Sequence, residues 1–350
     1  MIRTWILGAA ALGVLASPTA AQVRLNGAGA TFPNIIYQNW MLTYNQQTAG
    51  VQLNYQSIGS GGGIRQFSDR TVDFGGTDAP MTDSAIAAIN GDVMHLPTVL
   101  GAVVPVYNLP GFRGTVRFTP QVLADIYLGE ITKWNDARIA SVNPGVSLPN
   151  RDLLVVHRSD GSGTSFIWTD YLAKVSPTWL QRVGRGTSVR WPVGLGGRGN
   201  EGVAATVRQT PGALGYVELG YALINQMQVG QVRNRAGNFI TPSLESVTAA
   251  AEGAMAEMGP QTDFRVSITN PAGADAYPIA SLTWVLVRKS YPDAARGREL
   301  LRFLWWSAND GQAQAPKLGY APLPKAMLPW IRARLESVTG PDNRPLWKAS

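Results

Sequence analysis

Three times along the chain, a short apolar stretch of strand character gives way to a loop of glycine and hydroxyl residues, and the loop to helical spacing of apolar positions. The first unit runs Val23-Arg24-Leu25, then Asn26-Gly27-Ala28-Gly29-Ala30-Thr31, then a predicted helix from about Pro33 to Tyr44, with proline suited to the first helical turn. In the second, Val51, Leu53 and Tyr55 alternate with polar residues, Ser57-Ile58-Gly59-Ser60-Gly61-Gly62-Gly63 follows, and a helix is predicted from about Ile64 to Ser68. The third passes from Leu153-Leu154-Val155-Val156 through Arg158-Ser159-Asp160-Gly161-Ser162-Gly163-Thr164-Ser165 to a helix from about Phe166 to Val175. A further glycine stretch, Gly194 to Gly202, lacks hydroxyl neighbours and reads as a turn leading into a helix at Val203.

Strands alternating with helices predict an α/β fold with parallel sheets, whose ligands sit beyond the carboxyl ends of the strands. The loops occupy that place. Two β-rich crossings, Leu96 to Tyr107 and Ala276 to Val287, then divide the chain into a discontinuous first lobe, residues 22–96 with 279–350, and a second lobe, residues 97–278. Two crossings imply a hinge.

The N-terminus carries Arg3, the apolar run from Trp5 to Leu15, Pro18 and the small residues Thr19-Ala20-Ala21, which together read as a signal peptide over residues 1–21. Its apolar core falls short of the roughly 20 residues that span a bilayer. The expectation is therefore secretion into a periplasm. At 350 residues, with 45% hydrophobic and 15% charged, the rest buries a sizeable core. The absence of cysteine excludes disulfides, thiolate metal sites, cysteine nucleophiles and a lipid-modified N-terminal cysteine. A formal charge of +7 points to an anionic partner, but the cations are scattered and form no block of the kind that binds nucleic acid.

Glycine-rich turns into helices bind anions, because bare amides and the positive helix end face the ligand and glycine lets the backbone approach. Arg158 adds a bidentate fork for an oxyanion, and Asp160 stands two residues on, where it can hold that fork; the same pair also fits an ordinary structural ion pair. Arg158 and Ser162 both fall on the loop, so replacing them is expected to weaken binding without unfolding the chain. Asp78, in Val72-Asp73-Phe74-Gly75-Gly76-Thr77-Asp78-Ala79-Pro80, fits a turn cap or a subtler role. An ionised carboxylate only accepts hydrogen bonds, so it suits an anion that still carries a proton, as phosphate and arsenate do at neutral pH and sulfate does not. Enzyme signatures are thin. Gly59 to Gly63 is followed by no Gly-Lys-Ser/Thr, Ser162 lacks the nucleophile-elbow pattern, and His95 and His157 are the only histidines. A secreted phosphatase using Ser60 or Ser162, and a basic protein that binds polyanions, stand as alternatives.

The blocks Gly27 to Pro33, Ile58 to Gly63, Val72 to Pro80 and Asp160 to Phe166, joined by Asp125 to Gly129, Trp191 to Gly197 and Gly212 to Glu218, closely resemble the substrate-binding protein of the bacterial phosphate-specific ABC transporter. The resemblance spans nearly the whole mature chain. It implies a two-domain periplasmic-binding-protein fold of type II, each lobe a mostly parallel sheet flanked by helices, that closes around dehydrated phosphate without metal or cofactor. Its implied partners are inorganic phosphate and a membrane permease with its ATPase, served by a monomer. By position, Thr31, the Phe32 amide and Ser60 bind from the first lobe and Asp78 accepts the phosphate proton. Arg158, Ser162, Gly163 and Thr164 bind from the second, with Asp160 behind Arg158. Gly61 replaces a second serine of the family pattern, outside the expected ligand shell.

Overall fold

Eight strands carry the architecture: β1 (Val23–Gly29), β2 (Val51–Ser57), β3 (Phe74–Thr77), β4 (Met94–Tyr107), β5 (Leu154–Arg158), β6 (Leu195–Gly197), β7 (Ala213–Glu218) and β8 (Ala280–Val287). The structure, a computed structural model, describes residues 22–349; the predicted signal peptide lies outside the described residues. β2, β1 and β3 pair in parallel, as do β7, β5 and β6, which are the parallel groups that the strand and helix alternation predicts.

The two crossings tie these groups together. Met94 to Ala102 of β4 pair antiparallel with β8, and Val103 to Tyr107 pair antiparallel with β7. One sheet path therefore runs β2-β1-β3-β8-β4-β7-β5-β6, with Gln228–Val229 added beside β4 as a ninth strand. The sequence predicts the crossings but not that they fuse both groups into one path. All 14 residues of β4 are buried, as expected of a strand covered on both faces, and its sequence is accordingly an almost unbroken apolar run.

Four helices begin where strands of the two parallel groups end: α1 (Asn34–Gln47), α2 (Ser60–Ser68), α3 (Gly163–Val175) and α4 (Gly199–Gln209). Here the structure departs from the pattern. α2 starts at Ser60 rather than Ile64 and α3 at Gly163 rather than Phe166, so much of each loop is itself the first helical turn. Glycine's poor helix propensity hides such turns from a pattern reading. Beneath the third loop, Trp168 and Tyr216 stack with ring centroids 5.0 Å apart, and the Tyr216 hydroxyl accepts from the Arg158 amide (3.2 Å) and meets Ser165 Oγ (2.6 Å). This buried aromatic packing fixes the end of β5, from which the Arg158 side chain leaves.

Candidate anion-binding site

The first turns of all four helices meet between the β1–β3 group and the β5–β7 group. Thr31 follows β1, Ser60 opens α2, Asp78 follows β3, Arg158 ends β5, and Ser162, Gly163 and Thr164 form the start of α3. Thr31, Phe32, Ser60, Asp78, Arg158, Ser162 and Thr164 are all buried. Contacts join the two sides directly. The Gly163 amide donates to Ser60 Oγ (3.1 Å), and the Gly61 amide donates to the Gly161 carbonyl (2.9 Å). Gly59 has φ 88°, and a Cβ there would overlap Asp160, so the two loops approach as closely as they do only because this position is glycine.

Arg158 ends as a fork on Asp160: Nε donates to Oδ1 (2.8 Å) and Nη2 to Oδ2 (2.6 Å), while Nη1 donates to Thr164 Oγ1 (3.3 Å). Burial alone would raise the Asp160 carboxyl, but the guanidinium beside it holds it below its ordinary value. Asp160 also accepts from the Gly199 amide (3.1 Å). Ser162 Oγ accepts from the Ser165 amide (3.0 Å) and so caps α3. This corrects the simple loop picture: Arg158 is a buried strand residue and Ser162 a buried helix cap. Among the described residues, the buried amides of Phe32, Ser60 and Thr164 meet no acceptor. Buried backbone donors are almost always paired, so three orphans in one place mark a site for an acceptor.

Asp78 supplies the opposite polarity. Its Oδ1 accepts from Thr283 Oγ1 (2.8 Å), and its own amide donates to Ser60 Oγ (3.1 Å). Burial pushes its carboxyl up to about 7, with Thr283, the charge of Arg158 and Ser60 offsetting only part of that. A carboxyl raised on folding contributes stability that is complete below its unfolded pKa and lost as pH rises through about 7. In ligand-free protein this contribution amounts to about 4 kcal/mol, at roughly 1.36 kcal/mol per pH unit. Denaturant unfolding at pH 4 and pH 8 checks it: Asp78→Asn, which has nothing to titrate, should lose less stability between those pH values than the wild type. Equal losses would contradict the burial argument.

The sequence reading missed Asn200. Its Nδ2 donates to Thr31 Oγ1 (2.7 Å) and Thr164 Oγ1 (3.1 Å), and its Oδ1 accepts from the Glu218 amide (3.0 Å). The side chain thus bridges the first and third loops from the first turn of α4. Its stretch has no hydroxyl neighbours, and Thr31 lies 169 positions away, so nothing local announces it. Thr283, in the second crossing, is likewise visible only once β8 is placed beside β3. The histidines stand apart from both serines: His95 pairs with Asp263 (2.7 Å), and His157 stacks on Trp191. No group of three or more potential metal ligands occurs among the described residues, and none of their helices is long and apolar enough to cross a membrane.

Residues 16–310 match the model of the PBP superfamily domain. The chain is 47% identical over 320 residues to the phosphate-binding protein PstS of Xylella fastidiosa strain 9a5c, covering 90% of this chain and 86% of the relative. It is 42% identical over 350 residues to that of Pasteurella multocida strain Pm70, covering 99% and 100%. In fold it is similar to the high-affinity periplasmic phosphate-binding protein PfluDING bound with phosphate, with TM-score 0.69 at 23% identity over 89% of this chain and 93% of that one. A phosphate-binding protein from Stenotrophomonas maltophilia gives TM-score 0.67 at 21% identity over 89% and 94%.

Proposed function

Because this chain belongs to the family of PstS phosphate-binding proteins within the PBP superfamily, we propose that it captures inorganic phosphate in the periplasm and delivers it to an ABC importer. It is a binding protein, not an enzyme. The observation that carries the reading is that orphaned buried amides and the charge of the Arg158 guanidinium, whose fork Asp160 holds, share one enclosure with the carboxyl of Asp78; the guanidinium N–H groups left over from Asp160, rather than the fork itself, face an anion. Such a set suits an oxyanion that has one proton left to donate.

In this reading two lobes, residues 22–96 with 279–350 and residues 97–278, close on the anion about β4 and the start of β8, where the sheet changes partners. Thr31, the Phe32 amide and Ser60 bind from one side; Arg158, Ser162, Gly163 and Thr164 bind from the other. Asp78 takes the phosphate proton, and Asp160 aims Arg158. Asn200 joins this set as the residue that orients the hydroxyls of Thr31 and Thr164. Preorganised donors in a water-excluded site are stronger than the same donors in solvent. Residues 1–21 direct export and are removed after Ala21, leaving a monomer that serves a permease and its ATPase.

Closure itself is open to test. A Cβ at Gly163 would overlap Ser60 Oγ and Asp78 Oδ2, both across the cleft. Gly163→Ala is therefore expected to weaken phosphate binding by about 5- to 150-fold, the equivalent of the 1–3 kcal/mol typical of overpacking, with little change in melting temperature. Calorimetry on protein refolded from denaturant, and so freed of anion, tests the reading as a whole. One phosphate should bind per chain, and an absence of binding heat together with no ligand-induced rise in melting temperature would refute it.

A further inference from the structure

A strand of the second crossing holds Asp78 from behind. β4 and β8 pair residue for residue except at one bulge, where Thr283 lies opposite Val99 and Trp284 opposite Pro97, so that Thr98 has no partner. Bulges beside binding sites re-aim side chains. Trp284 also pairs antiparallel with Thr77 of β3, which brings Thr283, one residue earlier, beside Asp78. The Thr98 hydroxyl meets that of Tyr37 (2.8 Å) and donates to the Thr283 carbonyl (3.3 Å), so the bulged backbone is itself tied down. Thr283 is fully buried.

Thr283 Oγ1 has one hydrogen and two acceptors in reach, Asp78 Oδ1 at 2.8 Å and the Thr77 carbonyl at 3.3 Å. The shorter bond, to a carboxylate, is the stronger one. Oδ1 is thereby occupied. Oδ2 faces the first turn of α3 across the cleft, where a Cβ on Gly163 would overlap it, and Ser60 Oγ stands 3.4 Å away as a weak donor. We propose that Thr283 is a positioning residue for anion selection: its hydroxyl claims Oδ1 and steadies the carboxylate form of Asp78, leaving Oδ2 as the acceptor turned toward the anion. Burial pushes the Asp78 carboxyl up, and the Thr283 bond is the largest offset, ahead of the charge of Arg158 and the Ser60 bond. Without that bond the acid form persists to higher pH, and a protonated carboxyl donates to a fully deprotonated anion instead of repelling it.

The other titratable groups around Asp78 are Arg158 from β5, Glu218 from β7, Tyr37 from α1, Tyr55 from β2 and Tyr320. Burial raises the three tyrosines, which stay neutral, and it raises the Glu218 carboxyl, so the test must separate Glu218 from Asp78.

The proposal rests on the phosphate-capture reading. Sulfate is titrated calorimetrically between pH 6 and pH 9 into refolded, anion-free wild type, Thr283→Val, Thr283→Ser and Asp78→Asn. Wild-type sulfate affinity should fall above about pH 7. Thr283→Val should move that fall upward by about one to two pH units, the equivalent of one hydrogen bond to a charged group, so that sulfate binds about 10- to 100-fold tighter at pH 9. Thr283→Ser restores the hydroxyl and should restore the wild-type profile. Asp78→Asn should abolish the fall, which assigns it to Asp78 rather than Glu218, and Thr283→Val in that background should change nothing further. Thr283→Cys, whose thiol is a poor donor of similar size, should shift the profile in the same direction and reads the effect even where the valine variant does not fold. Profiles of the valine or cysteine variant that coincide with the wild type's would overturn the proposal, whatever happens to the melting temperature. So would a shift that persists with Asp78→Asn. A wild type that binds no phosphate would instead remove the reading beneath it.

Discussion

Arg158→Ala is expected to weaken phosphate binding by about 30- to several thousand-fold, the 2–5 kcal/mol typical of losing one partner of a buried, hydrogen-bonded charge pair. The side chain is 1% exposed and held by the two bonds it donates to Asp160, so its geometry is set before the anion arrives. Part of the loss will come from Asp160, left as an uncompensated carboxylate beside the anion. Arg158→Ala with Asp160→Asn separates the two contributions: the double variant should recover part of the affinity, and what stays lost is the direct contribution of Arg158. Adding Ser162→Ala brings a different penalty, because Ser162 caps α3. Loss of such a cap costs about 1 kcal/mol. The triple variant should therefore melt lower as well as bind less. Titration calorimetry beside thermal melting reads both effects, and an Arg158→Ala protein with wild-type affinity would dismiss the site.

Asp78→Asn should collapse discrimination between oxyanions. At pH 9, above the value of about 7 to which burial raises it, the Asp78 carboxylate is ionised and turns a lone pair toward the ligand, and a fully deprotonated anion meets it with another lone pair and a like charge. Asparagine keeps the shape and offers an N–H. Sulfate affinity is expected to rise by about 10- to 1000-fold, since an unmatched charged contact costs some 1.5–4 kcal/mol. Phosphate should weaken by about 5- to 150-fold as its donated bond loses a charged acceptor. Calorimetric titration of the variant with each anion measures both changes. Sulfate binding as poor in the variant as in the wild type would show that discrimination lies elsewhere.

The loops were legible because each combines a strand pattern, glycines and hydroxyls in adjacent positions, and Arg158 with Asp160 is a local signal of the same kind. The suitability of Asp78 followed from acid–base chemistry alone. What stayed hidden depends on distant partners. Asn200 acquires its role from Thr31 and Thr164, and Thr283 from Asp78, 205 positions away. The unbroken sheet is hidden for a related reason: β4 exchanges β8 for β7 between Ala102 and Val103, within one uniformly apolar run that shows no break. Early helix starts escaped notice because glycine disfavours helix, yet here it forms the first turn whose bare amides the site requires.

The most direct test is a competition titration at pH 9, where Asp78, raised by burial to about 7, is ionised while phosphate and arsenate keep a proton, on refolded, anion-free protein with phosphate, arsenate and sulfate. Phosphate and arsenate should bind at one shared site, and sulfate should compete at least about a hundredfold more weakly, matching the cost of a buried acceptor facing an anion without a proton. Sulfate affinity comparable to that of phosphate would contradict the assignment of Asp78 as the proton acceptor, and with it the account of how this site selects its ligand.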